Sequence, residues 1–404
     1  MKFFSSAYVL RLVGLAVLVG GLFGVAGAAS TSAASPQFGP VIALWDGSSW
    51  TPQASPNPDG SAVLSAVTTV SATDVWALGA YGRLLLPYGG SKALAEHWDG
   101  SSWQQVAMPT PSGADEVHVY GAAATSATDV WAVGSWAGPG APKGRDGYES
   151  GYATLIEHWD GSSWTILPSP PGRGTAQLYG VVALSPTNAW AVGYVGAHVG
   201  LNRTFVLHWN GTAWKRVPSP HPGPTHDAYS LLNGVAAVSP RSVWVVGSYT
   251  HRGQKGHRSN QTLALHWNGK NWKQVRSPTW RSSGEFSAVA AVGPNNVWAV
   301  GGYHNGHGAQ PLAERWNGHS WRVVPVHLAA QGLTSLAAVR GNDIWAAGTY
   351  DIGNDRTLSE HWDGNAWSLV DSPNPMTDES NHFWAIAAAA PTAVWAVGCF
   401  YLGD

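Results

Sequence analysis

Four glutamates directly precede a histidine or an arginine, and these acid–base pairs are the first candidates for chemistry in the sequence. A carboxyl group beside an imidazole can move protons to and from a substrate. A catalytic constellation is normally unique, whereas these pairs recur at one position of a repeat. The recurrence predicts a structural role for them, with a ligand site in each repeat as the alternative. The pairs are Glu96–His97, Glu157–His158, Glu314–Arg315 and Glu360–His361.

The other chemistry-bearing residues do not form a known catalytic motif. His251, His257, His304 and His307 lack a carboxylate or a third ligand at metal-binding spacing, which is typical of solvated loop histidines. Cys399 is the only cysteine, so an intrachain disulfide is excluded and a buried thiol is expected. The HExxH, EF-hand, GxSxG and P-loop patterns are absent from the sequence. We therefore predict no cofactor, no metal site and no catalytic residue.

Three of the 24 tryptophans, Trp136, Trp280 and Trp384, fall outside the two tryptophan phrases that repeat along the chain. The segments around them carry charged and hydrogen-bonding side chains: Arg145, Asp146, Tyr148, Arg252, His257 and Arg258. Exposed aromatic rings beside such groups suit stacking on sugar rings or on a protein surface. We predict that these nine residues form a ligand-binding surface. The alternative is that the three tryptophans pack beneath their own loops.

The two phrases that position these residues alternate seven times. The first is Trp-Asp/Asn-Gly-x-x-Trp, and it starts at Trp45, Trp98, Trp159, Trp209, Trp267, Trp316 and Trp362. The second is Val-Trp-Ala-Val-Gly or a close variant, centred on Trp76, Trp131, Trp190, Trp244, Trp298, Trp345 and Trp395. Successive copies lie 46 to 61 residues apart. This period is typical of four-stranded propeller blades, so the fold class is all-β, a seven-bladed β-propeller of antiparallel blades.

Each repeat reads as four short strands. The Asp-Gly or Asn-Gly pair marks a tight hairpin, because glycine and asparagine tolerate positive φ angles. This hairpin would place its two tryptophans on one face of the sheet, where aromatic pairs stabilise the hairpin. The turns between strands one and two and between strands three and four are short, whereas the other two loops are long. The long loops must therefore emerge on one face of the propeller, here the loop face, and the short turns on the opposite turn face.

The order of the strands predicts how the ring closes. The chain begins with strands three and four, residues 41–54, and ends after strand two, residues 395–401. N-terminal outer strands would thus complete a blade whose inner strands are C-terminal. The alternative is seven self-contained repeats. We predict a signal peptide over residues 1–28, a flexible mature N-terminus over 29–38 and the propeller over 39–404.

The phrases Asp-Val-Trp-Ala-Val-Gly and His-Trp-Asp-Gly-Ser-Ser-Trp resemble a class of secreted bacterial, tryptophan-rich propeller repeats. That class is loosely similar to kelch and tectonin modules. The resemblance covers essentially the whole predicted mature chain. It implies the fold and an extracellular location, but propellers of this kind include lectins, enzymes and scaffolds.

The N-terminal residues and the charge narrow the partners. Lys2 and Arg11 precede an apolar run of about 14 residues, short of the roughly 20 that span a bilayer, and Ala26-Gly27-Ala28 offers a cleavage site. A secreted protein is therefore expected, without stable membrane insertion after cleavage; a membrane anchor is the alternative. The formal net charge of −2 becomes −4 without Lys2 and Arg11, which argues against nucleic acid as a partner.

Three functions from different classes fit these observations. The favoured one is a secreted, non-catalytic binding or interaction propeller that recognises carbohydrate, a cell-envelope polymer or a protein partner through the loop face. The second is a glycosidase or polysaccharide lyase with paired carboxylates over the central channel. The third is a structural envelope scaffold.

Overall fold

The chain folds into seven four-stranded antiparallel sheets, which makes it a seven-bladed β-propeller, as the repeats predict. The computed structural model describes residues 37–84, 90–141, 151–172, 174–196, 202–222, 229–252, 258–278, 283–305, 308–327, 332–351 and 354–402. The predicted signal peptide lies outside these residues. Within them, the only helical element is a short 3-10 turn at Pro58–Gly60, and no helix is long and apolar enough to cross a membrane.

Strand two is the most buried strand of every blade, and strand one pairs with its inner edge. Strand one of blades 1 to 7 is, in order, β3 (Ala62–Ser71), β7 (Glu116–Ser126), β11 (Thr175–Ser185), β15 (Ser230–Ser239), β19 (Gly284–Gly293), β23 (Gly332–Arg340) and β27 (Asn381–Ala390). Strand two is β4 (Asp74–Gly82), β8 (Asp129–Ala137), β12 (Asn188–Gly196), β16 (Ser242–Arg252), β20 (Asn296–His304), β24 (Asp343–Asp351) and β28 (Ala393–Leu402).

The two outer strands are joined by the Trp-Asp/Asn-Gly-x-x-Trp hairpin. Strand three of blades 1 to 7 is β5 (Ser91–Trp98), β9 (Ala153–Trp159), β13 (Asn202–Trp209), β17 (Arg258–Trp267), β21 (Ala309–Trp316), β25 (Asp355–Trp362) and β1 (Gln37–Trp45). Strand four is β6 (Trp103–Val106), β10 (Trp164–Ile166), β14 (Trp214–Arg216), β18 (Trp272–Gln274), β22 (Trp321–Val323), β26 (Trp367–Val370) and β2 (Trp50–Pro52).

Blade 7 combines both ends of the chain, which confirms the interlocked closure. Its strand order is β2-β1-β28-β27, so the N-terminal strands lie outside the C-terminal strands. β1 pairs with β28 over nine residues, from Gln37 opposite Leu402 to Trp45 opposite Val394. Ile42 packs with the core of blade 1, and Val41 packs with the core shared with blade 6. The first strand therefore joins the last blade to both of its neighbours.

The tryptophans of the two phrases meet between blades. Within each hairpin the two tryptophans are directly opposite, as in Trp159 and Trp164, whose ring centroids lie 6.0 Å apart. Both rings also contact Trp76 of the preceding blade, at 5.0 and 5.4 Å, the second pair being edge-to-face. The same three-ring contact recurs at all seven blade interfaces. Edge-to-face and tilted geometries are those that aromatic quadrupoles favour, so these contacts hold the ring together.

Candidate binding site at the channel mouth

The central channel is lined by strand one of all seven blades. Each of these strands carries a bulge near its middle, where one extra residue is left without a partner on strand two. The seven bulged residues, here the channel ring, all line the channel: Ser65, Tyr120, Tyr179, Asn233, Ser287, Thr334 and Trp384. The next residue in each strand is Gly, Ala or Ser. A Cβ at Gly121 would lie 2.9 Å from the Tyr179 carbonyl oxygen, so the strands approach too closely there for larger side chains.

The channel contains a cavity of about 210 Å³. The channel ring forms its polar and aromatic level, and apolar side chains such as Val181, Val235 and Leu336 line it nearer the turn face. Pockets that enclose drug-sized ligands usually measure about 300–1,000 Å³. The cavity therefore suits one ring or one chain end of a larger ligand.

Two tyrosines of the channel ring form an aromatic pair across a blade interface. The rings of Tyr120 and Tyr179 lie 5.3 Å apart, and both residues are half-buried. Tyr120 stacks on His118 at 5.8 Å, and Tyr179 contacts Tyr194 at 5.9 Å. Four rings in contact thus extend across blades 2 and 3, and two of them, Tyr120 and Tyr179, line the channel. The Tyr179 hydroxyl donates a hydrogen bond to Gln177 Oε1 at 2.7 Å.

A carboxylate lies beside this aromatic row, closer to the loop face. Glu116 is the first residue of β7, two residues before His118, and His118 Nε2 lies 2.6 Å from Glu116 Oε1. The Tyr152 hydroxyl donates to the same oxygen at 3.2 Å. The cluster therefore offers hydrogen-bonding groups and aromatic faces in one place, a combination that orients polar ligands.

Trp384 belongs to the channel ring but is buried. Its indole is 8% exposed, stacks on His382 at 4.9 Å and donates from Nε1 to Cys399 Sγ at 3.3 Å. Burial raises the pKa of the Cys399 thiol to about 12, consistent with the expected buried thiol. Burial also lowers the pKa of His382 to about 4.

Trp136 occupies a position that the repeat does use. It is half-buried near the end of β8, and the equivalent position of five other blades carries an aromatic residue that packs on the core in the same way. These residues are Tyr81, Tyr249, Tyr303, Tyr350 and Phe400. Trp136 thus lies outside the two tryptophan phrases but at a position that most blades fill with an aromatic residue. A ligand contact by Trp136 stays a prediction.

The remaining predicted site residues lie at the loop face or outside the described residues. Arg258 is exposed at the start of β17, opposite Arg252 at the end of β16. Trp280, Arg145, Asp146, Tyr148 and His257 lie outside the described residues. The four described members lie on three blades, Trp136 on blade 2, Arg252 and Arg258 on blade 4 and Trp384 on blade 7, and the role of the nine residues as a binding surface stays a prediction.

The four repeated glutamates are buried between blades, as their recurrence predicted. Each is 0% exposed, and the absence of water raises the pKa of Glu96, Glu157 and Glu314 to about 8 and that of Glu360 to about 7. Glu96 Oε2 accepts a hydrogen bond from Ser55 of the neighbouring blade at 2.8 Å. Carboxyl groups that no solvent reaches cannot exchange protons with a substrate, so their role is structural.

The adjacent basic residues serve the same framework. His158 stacks on Trp131 at 4.3 Å and its Nε2 lies 2.7 Å from Asp129 Oδ1. Arg315 takes this place in blade 5, over the Trp298 ring and bonded to Asn296. Among the described residues, no group of three His, Cys, Asp or Glu side chains could hold a metal ion.

The channel ring lies outside the two repeated tryptophan phrases, although the sequence does contain a signal for it. Its signal is a polar or aromatic residue immediately before Gly, Ala or Ser within an otherwise small and apolar strand one. Tyr120-Gly121, Tyr179-Gly180 and Asn233-Gly234 are the clearest cases. A bulge moves these side chains out of strict alternation, so periodicity alone does not assign them to the channel.

Comparison with known proteins supports the fold and no more. No protein-family model matches the chain, and no curated protein matches it either. Among solved structures, it is similar to the RRP9 WD40 repeats, with 10% identity, coverage of 89% of this chain and 97% of that chain, and a TM-score of 0.51. YCF48 from Cyanidioschyzon merolae matches with 16% identity, 84% and 94% coverage and a TM-score of 0.47. The six-bladed fucose-recognising lectin of Aleuria aurantia matches with 12% identity, 77% and 97% coverage and 0.44. At these identities the likeness extends to the propeller fold alone.

Proposed function

We propose that the chain is a non-catalytic extracellular binding propeller that takes carbohydrate or a cell-envelope polymer at the channel mouth on the loop face. The observation that carries this proposal is the pair of half-buried tyrosines, Tyr120 and Tyr179, in a ring where the seven blades differ from one another. The framework positions are filled by nearly the same residue in every blade. The channel ring instead holds two serines, two tyrosines, one asparagine, one threonine and one tryptophan.

The chemistry of this cluster suits a sugar. Aromatic faces accept the apolar face of a sugar ring, and the polar side chains of the channel ring can orient its hydroxyl groups through hydrogen bonds. The small cavity favours a single terminal residue of a polymer over an internal stretch. The extracellular location follows from the predicted signal peptide and the repeat resemblance, and it remains part of the proposal.

A polysaccharide-degrading enzyme is the second candidate, because Glu116 receives hydrogen bonds from both His118 and Tyr152. Glycoside hydrolysis requires two carboxyl groups about 5–10 Å apart. Within the described strands one, the other carboxylate at this end is Glu285, which lies on blade 5, three blades from Glu116 around the ring; Asp115 precedes β7 and is exposed. Glu116 and Glu285 are thus on opposite sides of the channel, which favours binding without hydrolysis.

The test is a binding screen of the full chain against neutral and acidic polysaccharides, with reducing-end release measured in the same samples. We expect binding without release of reducing ends. For the bound glycan, Tyr120→Ala and Tyr179→Ala should each weaken affinity by about 30-fold, since an anchoring aromatic contributes about 2 kcal/mol.

Tyr249→Ala is the matched control, because Tyr249 is also half-buried but packs on the blade 4 core away from the channel. It should lower the melting temperature and leave the affinity of the folded protein unchanged. Glycan binding that survives both channel variants would contradict the proposed site. Release of reducing ends that Glu116→Gln abolishes would establish the enzyme instead.

A further inference from the structure

The small net charge of the chain conceals a strong segregation between blades. Residues 175–323, which form blades 3, 4 and 5, contain thirteen Lys and Arg but only three Asp and Glu. Two of the three acids, Glu285 and Glu314, are buried, and Asp227 lies outside the described residues. The rest of the chain contains nine Lys and Arg and twenty-one Asp and Glu. Three consecutive blades thus form a basic arc, and the other four form an acidic arc.

The first residue of the outer hairpin turn follows this division. It is Asp46, Asp99, Asp160 or Asp363 in blades 7, 1, 2 and 6, but Asn210, Asn268 or Asn317 in blades 3, 4 and 5. Both residue types do the same structural work. Asp99 Oδ1 accepts from two backbone N–H groups at 2.8 and 2.9 Å, and Asn268 Oδ1 accepts from the equivalent two at 3.0 Å. The turn therefore does not need the negative charge of aspartate, and in the basic arc a neutral asparagine replaces it.

The first position of strand two shows the same pattern. Blades 1, 2 and 6 have an aspartate there, whereas blades 3, 4 and 5 have Asn188, Ser242 and Asn296. Asn188 and Ser242 still bond the strand-three histidine at 2.9 Å, the distance that Asp74 makes to its own histidine. Again a carboxylate is replaced by a neutral group that keeps the hydrogen bond.

A third position adds positive charge to the same blades. The residue after the strand-four tryptophan is exposed at the outer rim of each blade. It is Lys215, Lys273 and Arg322 in blades 3, 4 and 5, but Gln104, Thr165, Ser368 and Thr51 in blades 1, 2, 6 and 7. Strand four is the edge of its sheet, so these cations follow one another along the convex rim.

Eight cations of the arc are exposed and lack carboxylate partners among the described residues. Within the described part of the chain, no ion pair involves any of eight exposed side chains: Arg203, Lys215, Arg216, Arg241, Lys270, Lys273, Arg276 and Arg322. Unpaired cations at this density repel one another and attract polyanions.

We propose that the rim of blades 3, 4 and 5, centred on Lys215, Lys273 and Arg322, is a second binding surface for an anionic polysaccharide. It is separate from the channel mouth and does not depend on the function proposed there. A succession of point charges along an extended edge suits a long polymer that carries many carboxylate or sulfate groups. Electrostatic attraction of this kind needs no pocket.

The rim itself disfavours two other occupants. The tryptophans of its fourth strands, Trp214, Trp272 and Trp321, are no more than 6% exposed, so they offer no stacking platform for single-stranded nucleic acid. A second copy of the chain would need an acidic rim to face the basic one. The two residues after the strand-four tryptophan include no acid in any blade, so the fourth strands of the other blades do not offer that complementary charge.

The test measures binding of the full chain to dextran sulfate and to polygalacturonate, with neutral dextran as the uncharged reference. The decisive variant is Lys215→Thr/Lys273→Thr/Arg322→Ser, which gives each blade a residue that other blades already carry at this position. Arg83→Thr/Lys92→Thr removes two exposed cations of blade 1 and is the control. The two charged polymers distinguish sulfate from carboxylate recognition.

We expect the parent to bind one or both charged polymers, more weakly as salt increases, and not neutral dextran. The rim variant should bind roughly tenfold more weakly or worse, as expected when several cation contacts to a polyanion are removed, and the control less than about twofold. Tyr120→Ala should leave this binding intact, which separates it from the channel site. Three results would overturn the proposal. They are an equal loss of affinity in the rim variant and the control, tighter binding to duplex DNA than to the charged polysaccharides, and no binding to either charged polymer. So would a salt-sensitive dimer that the rim variant abolishes.

Discussion

At the scale of single residues, the buried glutamates show that repetition can retain groups that cost stability. Both oxygens of Glu157 lack a hydrogen-bond partner among the described residues. Glu96 and Glu314 each accept a hydrogen bond from a serine of the preceding blade, Ser55 and Ser277 respectively. The residue equivalent to these serines in the blade that precedes Glu157 is Met108, which cannot donate such a bond. Burial without a partner raises the pKa of Glu157 to about 8. Blades 3 and 4 have Leu207 and Leu265 at this position, so an apolar side chain fits it.

We expect Glu157→Leu to stabilise the protein, and to do so more at pH 8 than at pH 5. The folded state holds the Glu157 proton up to about pH 8, whereas the unfolded chain releases it near pH 4.5. The folded state thus binds more protons between these values, and the free energy of unfolding falls as pH rises through this window. The gain at pH 8 should be about 1–3 kcal/mol, the cost of a buried polar group without a partner. Denaturant unfolding at both pH values measures it.

Glu96→Leu is the control, because it also removes the hydrogen bond from Ser55 and should gain less than Glu157→Leu. A destabilised Glu157→Leu protein, or a gain that does not depend on pH, would contradict the account of this residue.

At the scale of elements, the outer hairpin is the unit that the sequence specifies best. The Asp/Asn-Gly pair predicts a tight turn, and the structure has a four-residue turn in which the acidic or amide side chain accepts two backbone hydrogen bonds. The Ser162 hydroxyl and the backbone N–H groups of Ser162 and Ser163 lower the pKa of Asp160 to about 2. Local chemistry was therefore sufficient to predict the hairpin. The contact of its two tryptophans with the preceding blade was not predictable, since it depends on how blades pack.

Gly161→Ala should destabilise blade 2 by about 1 kcal/mol or more, because the φ of Gly161 is 98° and alanine is strained there. The new Cβ would also lie 2.6 Å from Thr128 Cγ2 in the adjacent turn. Gly293→Ala is the matched control: its φ is not positive, and nothing lies within 4 Å of the added Cβ. The melting temperatures of the two variants are compared with that of the parent. Equal decreases would show that the turn conformation does not cause the destabilisation.

At the scale of the whole molecule, closure depends on the N-terminal strands. β1 contributes the buried residues Val41, Ile42 and Ala43, and it covers β28 along its whole length. Deleting residues 37–54 should therefore lower the melting temperature much more than deleting a loop of similar length. It would expose the edge of β28 and the cores on both sides of blade 7. A deletion variant that melts like the parent would contradict the interlocked ring.

The sequence predicted this ring almost completely and its candidate site only in part. Seven copies of each phrase determine the number of blades, the strand order and the two faces. The site depends on the few positions where equivalent residues differ, and a bulge takes those side chains out of strict alternation, so periodicity alone does not assign them to the channel. Trp136 illustrates the difficulty: it is a tryptophan at a core position where five other blades carry tyrosine or phenylalanine, whereas Tyr120 lies at a position whose residue type varies between the blades.

The central claim is that binding resides where the blades differ and stability where they agree. The direct test is a variant in which Tyr120 and Tyr179 are both replaced by serine, the residue that Ser65 and Ser287 supply at the same position of blades 1 and 5. Its melting temperature and its affinity for the glycan found in the screen are compared with those of Trp164→Ala. We predict that the serine variant stays folded and loses glycan binding. Trp164→Ala should lose about 3–5 kcal/mol of stability, and its folded fraction should still bind. The opposite result, in which the serine variant binds and Trp164→Ala does not, would contradict the account.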